Sequence, residues 1–445
     1  MQQFILERSK KEFYTSHSGL ALAGLCINRY SGLPRKLTRK LGASRMIISH
    51  ADILRSYLGL LCLGKSDFEA ITPMRNDLYF KKSLGIKHIP SPERLRQRLD
   101  ETAELILPVV RRCAVEMLQK GKVHISPVET GHVPLDADVF ALDNSGTKKE
   151  CVSRTYRNFD GYAPIAAYLG LEGWCLDVEL RPGSQHSQDG FLPFMKRVLE
   201  QARTLVPKKK ILVRLDSAHD AIENRVFFRD QKNLSYIIKW NPRREDTSQL
   251  RKKVFSEGRV IEPRPGKRIG LLAVRKHQEY DGRSYVFTKV VRITERTMDK
   301  HGQFLLVPDV SVEGWWTNLD LPEEKIIQLY QQHGLSEQFH SEFKSDLDLE
   351  RLPSGKFATN TLVMALGAFA YNILRFIGQL GLTGAQAPIR HPAKRRRIKT
   401  VIQELIYLAS RLIQSGRRLK IRFSWHCSAY GAFYRVYHGL QQGLC

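Results

Sequence analysis

No two of the seven cysteines (Cys26, Cys62, Cys113, Cys151, Cys175, Cys427 and Cys445) stand at C-x-x-C spacing, which removes paired-thiolate zinc sites and thioredoxin-like redox motifs. What remains is a set of scattered thiols, as in a reducing compartment. The opening stretch MQQFILERSKKEF breaks its apolar residues with charge and lacks the hydrophobic region of a secretory signal, so a cytoplasmic location is expected. There is no H-E-x-x-H metalloprotease helix and no G-x-S-x-G nucleophile elbow. No uninterrupted apolar run reaches membrane length. Residues 361–382 come nearest, and Asn372, Arg375 and Gln379 interrupt them. A charge near the bilayer centre costs roughly 2.5–3.5 kcal/mol, so this stretch predicts a buried core helix, and no membrane partner is expected.

Acidic residues are scarce beside basic ones: 45 Asp plus Glu against 71 Lys plus Arg give a formal net charge of +26. Such an excess calls for a polyanion. Nucleic acid is the usual one, because each phosphate neutralised by Lys or Arg releases condensed counterions. An anionic membrane surface or plain solubility accounts for the charge less directly. A chain of 445 residues exceeds one ordinary core, and roughly two to four domains are expected.

Residues 18–122 are patterned as helices, with apolar positions at mixed three and four spacing through 47–63 and 95–118. Arg35, Lys36, Arg39, Lys40, Arg94, Arg96 and Arg98 decorate this region, as on a DNA-facing or a merely solvated helical surface. The texture then changes. Residues 133–140, 164–169 and 174–181 predict strands, the last two joined across Glu172 and Gly173; 188–206 predict an amphipathic helix and 211–215 a buried strand. Strand, strand, strand, helix, strand is by analogy the opening order of an RNase H-like fold. Strands return at 236–240, 270–280, 284–295 and 303–312, with Asp281-Gly282 as a hairpin turn. Helices are predicted at 321–347, 357–378 and 398–414, and no internal repeat is present. The expected architecture is α/β. A helical N-terminal DNA-binding or dimerisation region (1–125) precedes an RNase H-like catalytic core in two parts (126–240 and 317–384). A β-rich insertion domain (241–316) separates those parts, and a basic helical C-terminal region (385–445) follows.

Two-metal phosphodiester chemistry needs carboxylates converging from different elements, because hard cations prefer oxygen ligands and the two ions sit ~3.5–4 Å apart. Asp136 and Asp138 share one face of a predicted strand; a solvent-exposed edge strand would show the same pattern. Asp143 belongs to the loop that follows. Asp216 ends the apolar run 211–215, at the strand end where open α/β sheets place ligand chemistry. Asp220 reads as a helix cap or a surface charge. Tyr330, His333, Glu337 and Lys344 lie on one predicted helix whose start is marked by Asp320-Leu-Pro-Glu323. At about 100° per residue their side chains fall within about 60° of one another, while Phe339, Phe343 and Leu347 form a separate apolar stripe. Such a line is either a phosphate-facing surface or ordinary polar pairing on a solvated face.

The spacing Tyr330, two residues, His333, three residues, Glu337, six residues, Lys344 resembles the helix signature of one large branch of bacterial DDE transposases, in which the second position is usually Arg. The resemblance continues in Leu135-Asp-Ala-Asp138, in Asp143-Asn-Ser-Gly-Thr-Lys-Lys-Glu150, in Phe159-Asp-Gly-Tyr162 and in Leu212-Val-Arg-Leu-Asp216. Together these are similar to the insertion-sequence 1380 group, over residues 135–378 best. The resemblance implies Asp138, Asp216 and Glu337 as a triad holding two Mg²⁺ or Mn²⁺ ions, with Asp136 the alternative first acid. It implies phosphate contacts from Tyr330 and Lys344, double-stranded DNA (terminal inverted repeats and target) as partner, and a homodimer holding two DNA ends. The implied reaction is metal-dependent cleavage at the element ends and transfer of the freed 3′-OH into target DNA. At His333 an imidazole replaces the bidentate guanidinium fork, which implies weaker or pH-dependent phosphate binding there. A nuclease that cuts without joining, or a non-catalytic DNA-binding regulator, are the alternatives.

Eleven cations between residues 390 and 422, Lys394, Arg395, Arg396 and Arg397 among them, face Glu404 alone and predict a phosphate-binding segment. Residues 59–66, Gly-Leu-Leu-Cys-Leu-Gly-Lys-Ser, fit the P-loop pattern of an NTPase. They follow a helically periodic stretch where a P-loop follows a strand, so Gly64 is read as a helix end.

Overall fold

The computed structural model describes residues 3–9, 13–42, 47–243, 245–299, 301–385, 387–388 and 395–443. Its centre is a nine-stranded mixed sheet built from β1 (Val133–Val139), β2 (Ile165–Leu169), β3 (Trp174–Glu179), β4 (Ile211–Leu215), β5 (Leu234–Lys239), β6 (Arg259–Arg264), β7 (Lys267–Tyr280), β8 (Arg283–Met298) and β9 (Phe304–Thr317), in the order β6-β7-β8-β9-β5-β4-β1-β2-β3. β2 runs antiparallel to both β1 and β3; β4 lies parallel to β1 after a crossover through the helix Phe191–Leu205, and β5 lies parallel to β4. Every residue of β4, Ile-Leu-Val-Arg-Leu, is buried, as a parallel strand covered on both faces must be. The exception in chemistry is Arg214, whose register neighbour on β1 is Asp136.

The residues expected to form a β-rich insertion do form long hairpins. Asp281 and Gly282 both adopt positive φ, 49° and 69°, the two left-handed positions that a tight two-residue hairpin turn requires. These strands extend the central sheet, because Trp315, Trp316 and Thr317 of β9 pair with Lys239, Ile238 and Ile237 of β5. A helix, Thr247–Glu257, and the strand β6 precede the hairpins; neither was expected.

The N-terminal third is helical, dominated by α1 (Pro92–Lys120) and His50–Cys62. Both pack on α2 (Phe357–Leu382), whose most apolar 18-residue stretch has mean hydropathy 1.5 and is 94% buried. The polar residues that interrupt α2 bind its neighbours. The Asn372 amide accepts from the Cys175 N–H (3.0 Å) and donates to the Cys175 carbonyl (2.7 Å), and Arg375 meets Glu342 (2.5 Å). Gly59 lies inside His50–Cys62, Gly64 has φ +69° just beyond it, and Ser66 bonds Asp348 through its amide and hydroxyl, so residues 59–66 are a helix end and not a strand-to-helix phosphate loop.

The C-terminal region differs from the helix expected over 398–414. Helical turns end at Ile406, and the chain then forms a hairpin, Ser410–Ser415 with Arg418–Arg422, to which Phe13–Thr15 adds a third strand before the closing helix Tyr430–Gln442. Gly416, at φ +58°, makes the turn. This strand is completed by residues nearly 400 positions away, a partner that local periodicity does not contain.

Candidate active site

The two acids of β1 have different fates. Asp136 is 3% exposed and receives two hydrogen bonds from Arg214, Nε at 2.7 Å and Nη2 at 2.6 Å, and one contact from His333 Nδ1 at 3.0 Å. Burial alone would raise its carboxyl, but Arg214 and then His333 hold it below the usual range. The third arm of Arg214 donates to the Leu329 carbonyl at 2.8 Å. Arg214 therefore joins β4, β1 and α3 (Glu323–Gln331) through one buried guanidinium.

Asp138, two residues on, is half-buried and lines a cavity of about 590 Å³ with Asp216 and Glu337. Asp138 and Asp216 come from the C-terminal ends of the parallel neighbours β1 and β4. Asp216 turns there because its carboxylate caps the next turn, accepting from the Ala218 N–H at 3.2 Å. Glu337 comes from α4 (Leu335–Ser341). Burial, then the charge of Asp216, with Glu337 adding, pushes the Asp138 carboxyl up to about 7 against the opposing pull of His333. Asp216 is raised by burial, with His333 again opposing. Burial would lower the His333 imidazole, but Asp136 and Asp138 raise it overall.

The predicted helix 321–347 is four pieces: α3, a 3₁₀ turn at Gln332–Gly334, α4 and a wide turn at Glu342–Asp346. Tyr330, His333 and Glu337 still line the one cavity, and Glu337 shares a second, of about 540 Å³, with Lys344. Tyr330 rests against Trp315 and His333, with ring centres 6.0 and 5.7 Å away. Burial raises its phenol, so it stays a hydrogen-bond donor. Lys344 Nζ donates to the Ala141 carbonyl (3.0 Å) and pairs with Glu350 (2.9 Å). Phe339, Phe343 and Leu347 are buried on the other side, as their stripe implied.

A family model described as "Transposase DDE domain group 1" matches residues 12–444. The chain belongs to this family of transposases. No curated protein matches it. Among solved structures it is similar to the piggyBac transposase synaptic complex with hairpin DNA, with a TM-score of 0.41, 10% identity, and coverage of 89% of this chain and 82% of that one.

DDE transposases generally use divalent metals, and the donor set of this transposase fits such ions. Three hard oxygen donors face one cavity, where burial and then the charge of Asp216 push the Asp138 carboxyl up to about 7, and a cation would relieve the repulsion among the acids. Among the described residues no three His, Cys, Asp or Glu side chains gather closely enough to hold one ion by themselves.

Other residues at the transposase site were not singled out from the sequence. Lys239 and Arg292 line the first cavity and both bond Glu313, at 3.1 and 3.0 Å. Tyr156 and Arg157 line both cavities from the tip of the hairpin Ser153–Arg154 to Asp160–Tyr162. Within Phe159-Asp-Gly-Tyr162, Gly161 is required because a Cβ there would meet the Leu142 carbonyl oxygen at 1.9 Å. The motif stops two residues short of Arg157, and that adjacency was the available signal. The 143–150 segment braces the loop after Lys344: the Asp143 N–H bonds Glu350 (2.9 Å), and Glu150 accepts from the Phe357 N–H (2.8 Å). Asp220, read as a cap or surface charge, is instead buried, paired with Arg225 and bonded by the Asn241 N–H at 2.8 Å.

The arginines expected to bind phosphate are engaged within the protein. Arg395 pairs with Glu342, Arg396 Nε donates to the Leu382 carbonyl (2.9 Å), and Arg397 binds Asp346 through Nε and Nη2, both at 2.9 Å. Glu342 and Asp346 are buried, and buried carboxylates need such partners. Lys394 lies outside the described residues.

Proposed function

We propose that this transposase cuts DNA at the ends of its element and joins the freed 3′-OH to target DNA, using Asp138, Asp216 and Glu337 of an RNase H-like core. We place it in the insertion-sequence 1380 group on its Tyr330/His333/Glu337/Lys344 spacing. The observation that carries the reading is the convergence of three acids, from two adjacent parallel strand ends and one helix, on a single cavity. The antiparallel order of β3, β2 and β1, with β4 and β5 added parallel to β1, supports the RNase H-like assignment.

In this reading Asp138, Asp216 and Glu337 would hold two Mg²⁺ or Mn²⁺ ions, which prefer such oxygen donors. Bound there, the ions supply Lewis acidity toward the nucleophile and the leaving oxygen. In cleavage, a water oxygen bonds phosphorus, the P–O3′ bond breaks, and the departing oxygen takes a proton as the water loses one. In transfer, that 3′-OH attacks a target phosphodiester and releases a target 3′-OH. Tyr330, which lines the first cavity, and Lys344, which lines the second, would donate to phosphates of the reacting strand. Two copies of the chain hold two ends.

The test is a labelled duplex bearing the element end, incubated with Mg²⁺ or Mn²⁺ and wild type, Asp216→Asn or Glu337→Gln. Metal-dependent nicking and strand transfer by wild type, with both variants binding DNA without cutting, is the expected result. Binding by wild type with no cleavage in either metal would assign the chain to DNA-binding regulation instead.

A further inference from the structure

The two cavities beside the acids share the lining residues Asp138, Val139, Tyr156, Arg157 and Glu337. Two of these are acids, and two belong to the hairpin tip. The remaining cations on these walls are engaged by the protein: Lys239 and Arg292 by Glu313, Lys344 by Glu350 and the Ala141 carbonyl. His333 is turned onto Asp136. Arg154, nearby on the hairpin, is paired with Asp160, whereas Arg157 has no carboxylate partner among the described residues.

The tip that carries Arg157 is held in place. Thr155 binds the Phe159 carbonyl through both its amide and its hydroxyl, each at 2.8 Å, around Asn158 at φ +63°. The Tyr156 hydroxyl donates to the Val139 carbonyl at 3.2 Å, tethering the tip to the residue after Asp138. The Arg157 guanidinium carbon lies 5.5 Å from the centre of the Tyr156 ring, a shelf that suits a planar cation.

We propose that Arg157 is the guanidinium clamp for the DNA phosphate that reacts over Asp138 and Glu337, with Tyr156 as its positioning residue. This rests on the nuclease reading given above. A guanidinium offers two parallel donors to a phosphate, and its charge counts most as negative charge builds on the equatorial oxygens in the transition state. Arg157 therefore acts on turnover more than on DNA affinity, most of which comes from the many other cations of the chain.

The experiment compares wild type, Arg157→Ala, Arg157→Lys and Tyr156→Phe on the labelled end duplex, measuring kcat, KM and DNA affinity, with and without added guanidinium ion. Arg157→Ala should lose about 100- to 1000-fold in kcat with KM and affinity little changed. Lysine should restore part of the loss, and free guanidinium part of the alanine defect, a rescue that a purely structural role would not show. Tyr156→Phe should lose less. An alanine variant that cuts at the wild-type rate, or a defect that neither lysine nor guanidinium relieves, overturns the assignment. If wild type binds without cutting, the nuclease reading has failed separately, and Arg157 is then judged by salt dependence: Arg157→Ala should lower the slope of log affinity against log salt by about 1, and an unchanged slope rejects the contact.

Discussion

Asp136 and Asp138 differ by two positions and by everything around them. Asp136 balances Arg214 and His333 in a buried site; Asp138 faces a cavity and other acids. Replacing Asp136 with Asn leaves the buried Arg214 guanidinium without its counter-charge, and a loss of about 3–5 kcal/mol is expected in urea unfolding. Asp138→Asn should abolish cleavage while leaving the unfolding midpoint unchanged or higher, since it removes a crowded charge. The reverse pattern would make Asp136 the first catalytic acid. The same cluster gives a two-sided pH profile. The depressed carboxyl of Asp136 contributes stability above the ordinary aspartate range that is lost as pH falls through its folded value; the raised imidazole of His333 contributes below about 6.5, and that contribution is lost as pH rises through its folded value. Urea midpoints measured from pH 3 to 9 should therefore fall off on both sides, and Asp136→Asn should flatten the profile.

At the scale of elements, α2 is joined to β3 by the Asn372 amide, which occupies both the N–H and the C=O of Cys175. Asn372→Leu would orphan both groups, at about 1–3 kcal/mol each, and a thermal melt that matched wild type would refute this role. The elements also show where the sequence was readable. The run 211–215 was legible as a buried strand because its pattern is local and complete, and Asp281-Gly282 because hairpin chemistry is carried by the two residues themselves. The break in the helix expected over 321–347 was not legible. The tight turn at Gln332–Gly334 coincides with the bond from His333 to Asp136, a tertiary contact that no helical wheel contains. Tyr156 and Arg157 were missed for a similar reason: they reach the acids through the fold of a hairpin whose strands are two and three residues long.

Across the whole molecule, the central sheet runs without interruption from the long hairpins to β3, and the termini meet where Phe13–Thr15 pairs with Ser410–Leu412. Removing residues 1–15 should expose the hairpin Ser410–Arg422 to limited proteolysis while the helix α2 stays protected. Equal protease resistance in the truncated and intact chains would show that this closing strand is dispensable. Arg395 and Arg397, which look like part of a DNA tail when read in a line, bind Glu342 and Asp346 of the turn that carries Lys344, and Arg396 binds the Leu382 carbonyl at the end of α2.

That pairing of the two ends bears on how the enzyme is born. A chain emerging from the ribosome makes Phe13–Thr15 first and the hairpin Ser410–Arg422 that it joins only after the central sheet and α2. A product released before residue 410 therefore leaves Phe13–Thr15 without the strand it pairs with.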